Sequence, residues 1–325
     1  MRALIHDTFG EPDAVLHVGE AELPEPGPGE VRVRTLLSPI HNHDLWTVRG
    51  TYGFKPELPA RSGTEALGVV DALGDGVDTL EIGQRVATGG SFGAWAEYFV
   101  AKAAALIPVA EGLPDEAAAQ LVAMPFSAIS LIDFLGLEAG DWIVQNAANG
   151  AVGRMVAQIG KARGLNVIGL VRRSAGVEEL AEQGIDRIVA TDADDWRDRV
   201  AEITGGAPIA AGVDSVGGKA SGDVLSILGE DGTLVVFGAM DSPTMELGSG
   251  DIIFRQATVK GFWGSKVSTS MAPAKRAELF GELGGYIASG VVTLPVAGTF
   301  GFDDIADAVR ASNTAGRVGK VLLRP

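Results

Sequence analysis

The sequence contains no cysteine. That absence alone excludes disulfides, cysteine-ligated zinc, iron–sulfur clusters and thiolate nucleophiles. Histidine is scarce, with only His6, His17, His41 and His43, and tyrosine scarcer, with Tyr52, Tyr98 and Tyr286, so acid–base work has few side chains to fall on. Positive charge is in deficit: 42 acidic residues against 26 basic give a net charge of -16. Such a chain repels DNA and anionic membranes, and an anionic ligand needs a local basic pocket. No apolar run approaches the roughly 18 residues of a spanning helix, and the opening MRALIHDTFGEP lacks a signal-peptide core, so the expected location is cytoplasmic. Internal repeats and low-complexity segments are missing too.

What is present is a chain of 325 residues, 46% hydrophobic, enough for one large or two ordinary globular domains. Its most informative stretch is DWIVQNAANGAVGRMVAQIGKARGLNVIGLVRRS, Asp141 to Ser174. Ile143 to Ala147 form a short apolar run bounded by polar residues, the pattern of a strand buried on both faces of a parallel sheet. Ala147, Gly150 and Gly153 then give A-x-x-G-x-x-G, a variant of the dinucleotide fingerprint. Small residues let the backbone, through Asn149, Gly150, Ala151, Val152 and Gly153, approach a pyrophosphate, and the last glycine lets helix pack on strand. From Val152 the apolar positions Val152, Val156, Ile159 and Ala162 recur at helical spacing, with Gly164 as a left-handed cap. The free N–H groups of that helix face the anion.

The next strand, Val167 to Val171, ends where an NAD-dependent fold places Asp or Glu on the ribose hydroxyls, yet Arg172 and Arg173 stand there. A carboxylate repels a 2′-phosphate and a guanidinium grips it. One or two charge-assisted hydrogen bonds favour NADPH over NADH by on the order of tenfold to several hundredfold, so NADPH is the expected cofactor.

The first third reads as β-rich, with strands such as Glu30 to Leu36, Gly68 to Leu73 and Arg85 to Thr88 between Pro and Gly turns, a compact barrel-like domain. From Asp141 strands alternate with helices: Asn166 to Val171, Arg187 to Ala190, Gly212 to Val216, Thr233 to Gly238 and Thr258 to Trp263. That alternation predicts an α/β fold with a doubly wound parallel sheet. Pro273 to Ser289 reads as a helix; Thr293 to Phe302, helix Asp303 to Ala311 and strand Gly319 to Leu323 look like a return to the first domain. A β-rich domain split by a dinucleotide fold is expected to bind its ligand in the cleft where the parallel strands' carboxyl ends open. His41 and His43 are two apart, so on a strand they would share a face, and Glu65 could come near them.

In order along the chain, PEPGPGEVRVR, SPIHNHDLWTVRGTYG, GTEALGVV, IGQRVA, GAWAEYFV and the glycine turn resemble the medium-chain dehydrogenase/reductase family over essentially the whole length. Within it the chain is similar to the zinc-free branch of quinone oxidoreductases and 2-enoyl thioester reductases, and QNAANGAVG, DSVGGKAS, VVFGAM and IIFRQATVKGFW look closest to the thioester reductases. The resemblance implies a Rossmann domain over 119–264 inserted into a GroES-like catalytic domain over 1–118 and 265–325. Where zinc-dependent members hold their catalytic metal, this chain aligns His41, Thr64 and Ala123, and the cysteine-rich lobe expected after IGQRVA is absent. A hydride acceptor must then be polarised without a metal.

Tyr52, in RGTYGFKP, matches the tyrosine the thioester reductases carry after this motif, and a phenol, with its ordinary pKa of about 10, is protonated at neutral pH. Hydride added to the β-carbon of a conjugated C=C pushes charge onto the carbonyl oxygen, so a donor near that oxygen and a proton for the α-carbon are both required. Tyr98, in a strand pattern, and Tyr286, on the late helix, read as packing residues. By the same resemblance His41 faces the nicotinamide ribose or the substrate carbonyl, Asp44 orients the local backbone, and Ser127 bonds the cofactor. Gly238, Ala239 and Met240 after the fifth strand, with Phe262 and Trp263 after the sixth, hold the carboxamide; Lys320 in GRVGKVLL, like Asn313, is a candidate for the phosphates. Trp46, Phe54, Met124, Phe254 and Trp263 are candidates for the acceptor pocket.

These readings lead to an NADPH-dependent reductase of activated double bonds in 2-enoyl thioesters, enals or enones, pairing as a homodimer through the strand near Thr258 to Trp263. The alternatives are an NADPH:quinone reductase, a catalytically idle cofactor-binding protein with a structural or regulatory role, and a zinc alcohol dehydrogenase. A thioester on a large anionic carrier would need a basic mouth from residues such as Lys55, Arg61, Arg255, Lys266 and Arg276; if these scatter, a small neutral acceptor is favoured.

Overall fold

The computed structural model describes all residues, Met1–Pro325. It divides into two compact units, one of 1–124 with 294–325 and one of 125–293. The segment 265–293, which the sequence reading grouped with the first domain, therefore falls in the second unit, carried there by the helix Pro273–Ala288 whose Leu279 and Leu283 are fully buried.

The first unit begins with β1 (Arg2–His6), β2 (His17–Glu20), β3 (Glu30–Pro39), β4 (Ala60–Arg61), β5 (Ala66–Leu73), β6 (Arg85–Thr88), β7 (Tyr98–Lys102) and β8 (Ile107–Pro108). The second contains β9 (Trp142–Gln145), β10 (Asn166–Val171), β11 (Ile188–Ala190), β12 (Ile209–Asp214), β13 (Thr233–Val236) and β14 (Thr258–Gly261), and the chain returns to the first as β15 (Val296–Gly301) and β16 (Lys320–Arg324).

Strand β3 organises the first unit because it alternates: Val31 and Val33 turn inward on Val70, Val86 and Phe99, while Arg32 and Arg34 turn out. It pairs antiparallel with β5, β7 and β16 in a seven-stranded sheet of order β15-β16-β3-β5-β6-β8, and a smaller sheet runs β2-β1-β4. Pro39 ends β3, and the chain passes through Ile40 into the helix Asn42–Arg49. Leu45 and Val48 pin that helix to a core with Leu4, Trp95, Phe302 and Val309, and this fixes the direction of its polar N-terminal residues.

The second unit is an all-parallel, six-stranded sheet of order β11-β10-β9-β12-β13-β14, the doubly wound order whose direction reverses between β9 and β12. Its inner strands are largely buried, with Val144, Ile168, Leu170 and Leu234 in one core, which explains their continuous apolar runs, whereas edge strand β14 has no buried residue. Helix Ala151–Ala162 follows β9 and is closed by Gly164 at φ 78°. No helix is long and apolar enough to cross a membrane.

Candidate functional site

In the second unit, the turn after β9 is shaped by close approach. Gly150 N–H bonds back to the Ala147 carbonyl at 2.8 Å, and Ala147 itself adopts φ 49°. A Cβ on Gly153 would lie 2.7 Å from the Ala147 oxygen and 2.9 Å from Ala148 Cα, so only glycine lets the helix start this near the strand. Asn149, Gly150 and Ala151 are exposed, and the helix they open runs 12 residues, leaving its first N–H groups directed at solvent. Beside this turn, Asp214 ends β12 with no solvent exposure. Its Oδ1 accepts from Asn146 Nδ2 at 2.6 Å, Val216 N–H at 2.9 Å and Gly217 N–H at 3.2 Å, and its Oδ2 from Ser221 Oγ at 2.5 Å. Asn146 returns the tie by accepting from Ser215 N–H at 2.7 Å. The network locks β9 to β12 where the strand order reverses, the place where this class of sheet binds nucleotides.

Arg172 and Arg173 follow β10, both exposed and neither in an ion pair, whereas Ser174 next to them is held by Asp192. Gly238 and Met240 hang from Asp214 and Ser215 through backbone bonds of 3.2 and 3.1 Å. Phe262 is buried, its ring set among Phe134 at 5.2 Å and Phe237 at 5.8 Å, so only its backbone is available to a ligand. Trp263 is 55% exposed and borders a cavity of about 500 Å³ with Phe262, Val236 and Lys266. Ser127 neighbours the same segment: a Cβ on Gly264 would meet its Oγ at 3.1 Å. Arg255 is occupied by Asp251 and the Leu228 carbonyl.

In the first unit, His41 is not on a strand. It precedes the helix Asn42–Arg49, and its N–H donates to Asp44 Oδ2 at 3.0 Å, which is the orienting role expected of Asp44. The two histidine rings nonetheless stack, at 5.0 Å and 14°. His41 Nε2 lies 2.6 Å from Glu65 Oε2, both side chains 1% exposed, and Glu65 Oε1 accepts from the N–H groups of Val122 and Ala123 at 2.7 Å each. Burial pushes Glu65 up to about 7 and holds His41 well below its ordinary value, so near neutrality this is a hydrogen-bonded pair with an uncharged imidazole rather than an ion pair. Lys320 is neither a surface lysine nor open to solvent: it is buried, 3.5 Å from the Ile40 carbonyl, and burial lowers its ammonium to about 8.

His43 is the half-buried partner of this cluster. Its Nε2 lies 2.7 Å from Thr64 Oγ1, which donates to Asp44 Oδ1 at 2.8 Å. Tyr52 lies against it, ring centroids 5.8 Å apart, in a loop fixed by the Trp46 carbonyl, which accepts from Tyr52 N–H at 3.2 Å. Phe54 is 42% exposed and packs on Phe92; Trp46 and Met124 are half-buried. Asn313 ends its helix. No three His, Asp or Glu side chains converge as metal-holding groups do. Sequence reasoning missed the Asn146–Asp214 network and the Thr64 bridge. The aspartate at the end of an apolar strand was the available signal for the first; nothing local signals the second.

A parallel sheet with this strand order, an open glycine turn at its reversal and free arginines one strand over defines a nucleotide-dependent oxidoreductase fold. The family description "Zinc-binding dehydrogenase" matches 151–278 and "Alcohol dehydrogenase GroES-like domain" matches 27–111. Human mitochondrial enoyl-[acyl-carrier-protein] reductase is 32% identical over 319 residues, covering 96% of this chain and 85% of that protein. Escherichia coli quinone oxidoreductase, solved with NADPH, superposes with a TM-score of 0.90 at 25% identity, covering all of both chains. The Pseudomonas syringae quinone oxidoreductase gives 0.86 at 27%, again with complete coverage. The chain belongs to the medium-chain dehydrogenase/reductase family, in its zinc-independent branch of quinone oxidoreductases and enoyl reductases. The word zinc in the family description does not carry over to a chain without cysteine, whose Thr64 and Ala123 are occupied as backbone and hydroxyl hydrogen-bonding groups.

Proposed function

We propose that this protein reduces activated C=C bonds of 2-enoyl thioesters, enals or enones with NADPH and without a metal. The observation that carries the reading is the pair of unpaired guanidinium groups, Arg172 and Arg173, at the carboxyl end of β10 in a net-acidic chain. Free positive charge at that position matches a 2′-phosphate, and the cradle around Gly153 matches a pyrophosphate. The bound coenzyme supplies a hydride. Asn149 to Gly153 hold its phosphates, the backbone of Gly238, Ala239, Met240, Phe262 and Trp263 orients its carboxamide, and Ser127 steadies the same end. Tyr52 donates to the carbonyl oxygen as charge develops there and delivers its proton to the α-carbon; Trp46, Phe54 and Met124 wall the acceptor. His41 is held by Glu65, and buried Lys320 adds positive charge within the same unit.

We further propose a homodimer joined at edge strand β14. Its solvent-facing side and the neighbouring helix expose Ile253 at 65% and Phe254 at 82%, so Phe254 fits a pairing surface better than a substrate wall. A cytoplasmic location is part of this reading. Quinone reduction is the second reading, favoured by the quinone oxidoreductases that share the fold.

The test is NADPH consumption against crotonyl thioesters, enals and quinones, with Tyr52→Phe beside the parent. Turnover of the enoyl substrates that Tyr52→Phe abolishes supports the first reading; turnover of quinones alone, indifferent to Tyr52, supports the second. NADPH binding with no turnover on any substrate would leave a structural or regulatory cofactor-binding protein.

A further inference from the structure

We infer that His43, held by Thr64 and Asp44, takes a proton from water and returns it to the Tyr52 oxygen after each turnover. The inference rests on the reading of Tyr52 as proton donor and adds a second residue acting through it.

The hydrogen bonds fix which nitrogen is free. A carboxylate only accepts, so the Thr64 hydroxyl gives its proton to Asp44 Oδ1, and the Thr64 oxygen is left to accept from His43 Nε2. The neutral ring therefore carries its hydrogen on Nε2 and a lone pair on Nδ1, the atom able to take up a further proton. Asp44 Oδ1, 3.6 Å from Nε2, faces the imidazolium that results. The other groups around the ring are Tyr52 from the loop after the helix and the stacked ring of His41, with Glu65 behind it. Burial keeps the His41 ring neutral, so it adds no opposing charge.

Access separates the two histidines. The His43 side chain is 22% exposed and can meet water, whereas His41 is sealed and its Nε2 is already engaged by Glu65. When Tyr52 protonates the α-carbon, its O–H bond breaks as the C–H bond forms, leaving a phenolate. The Nδ1–H of His43 then breaks and the phenol O–H reforms, and the ring is recharged by a proton from solvent. A phenolate is a stronger base than an imidazole, so return of the proton to oxygen is favoured.

The experiment measures kcat and KM with NADPH and a crotonyl thioester between roughly pH 6 and 9 for the parent, Tyr52→Phe, His43→Gln, His43→Ala and Thr64→Val. A His43→Gln protein is expected to lose on the order of 100-fold in kcat at the acid end of this range with KM for NADPH unchanged, the loss shrinking as pH rises and the parent's own ring gives up its proton. Added imidazole should restore turnover in His43→Ala but not in Tyr52→Phe. Parental kcat and pH profile in His43→Gln, alongside an impaired Tyr52→Phe, would overturn the relay and leave the Tyr52 reading standing; parental turnover in Tyr52→Phe would remove both. If the His43 variants do not fold, Thr64→Val cuts the tie to Asp44 at nearly constant shape, and parental kcat there likewise overturns the proposal.

Discussion

Glu65 and His41 meet at 2.6 Å with neither side chain more than 1% exposed, and the carboxyl also accepts two backbone N–H groups on its other oxygen. Burial raises Glu65 from 4.5 to about 7, so the folded chain binds this proton more tightly than the unfolded chain does. The stability it contributes is present below pH 4.5 and is lost as pH rises towards 7, a change on the order of 1–3 kcal/mol. Glu65→Gln imitates the protonated carboxyl and keeps both backbone bonds. It is expected to melt near the parent at pH 5 and above it at pH 8; a parallel fall in both proteins would show that Glu65 does not carry this slope.

Arg172 and Arg173 make no ion pair, so they can be removed without stranding a carboxylate. Arg172→Asp, alone or with Arg173→Ser, should raise the Kd for NADPH by about tenfold to several hundredfold and leave that for NADH within a few-fold, with little change in melting temperature. Titrations with both coenzymes by tryptophan fluorescence decide it. Unchanged discrimination would mean that the phosphate lies elsewhere.

At Gly153 the added methyl of alanine would sit 2.7 Å from the Ala147 oxygen. Gly153→Ala should cost about 1–3 kcal/mol and, because the helix must back away from the strand, weaken either coenzyme to a similar degree. Urea melts and paired coenzyme titrations separate this from the arginine variants, which spare NADH.

Asn146→Ala withdraws one donor from the buried Asp214 carboxylate and one acceptor from Ser215 N–H. The expected loss is about 2–4 kcal/mol, larger than for Ser221→Ala, which removes a single donor. Equal losses would show that the network is not cooperative.

Sequence legibility followed the physics of each segment. Strands β6 and β10 have the residues expected, because β-branched and apolar side chains there are bounded by abrupt polarity changes. Strand β12 was expected at Gly212 to Val216 but runs Ile209–Asp214: its alanines and glycine hide the start, and Asp214 ends the strand by capturing the N–H groups of Val216 and Gly217. The tight glycine turn and the exposed position of both arginines were legible because backbone shape and chain position decide them. The His43–Thr64–Asp44 chain was not, since it joins a helix N-terminus to a segment about twenty residues on through side chains that carry no periodicity. Lys320 shows the same limit, as a lone basic residue before an apolar run looks solvent-facing until β16 is placed between β15 and β3.

That placement has a consequence for biosynthesis. Val321, Leu322 and Leu323, all fully buried, complete the middle of a sheet whose other members are, β15 aside, translated well before them. Until β16 is made, the Ser38–Pro39 end of β3 lacks its pairing strand and Leu37 lacks its Leu322 neighbour. That sheet is therefore completed only after the nucleotide-binding segment has been made, and loss of β16 would leave it unfinished.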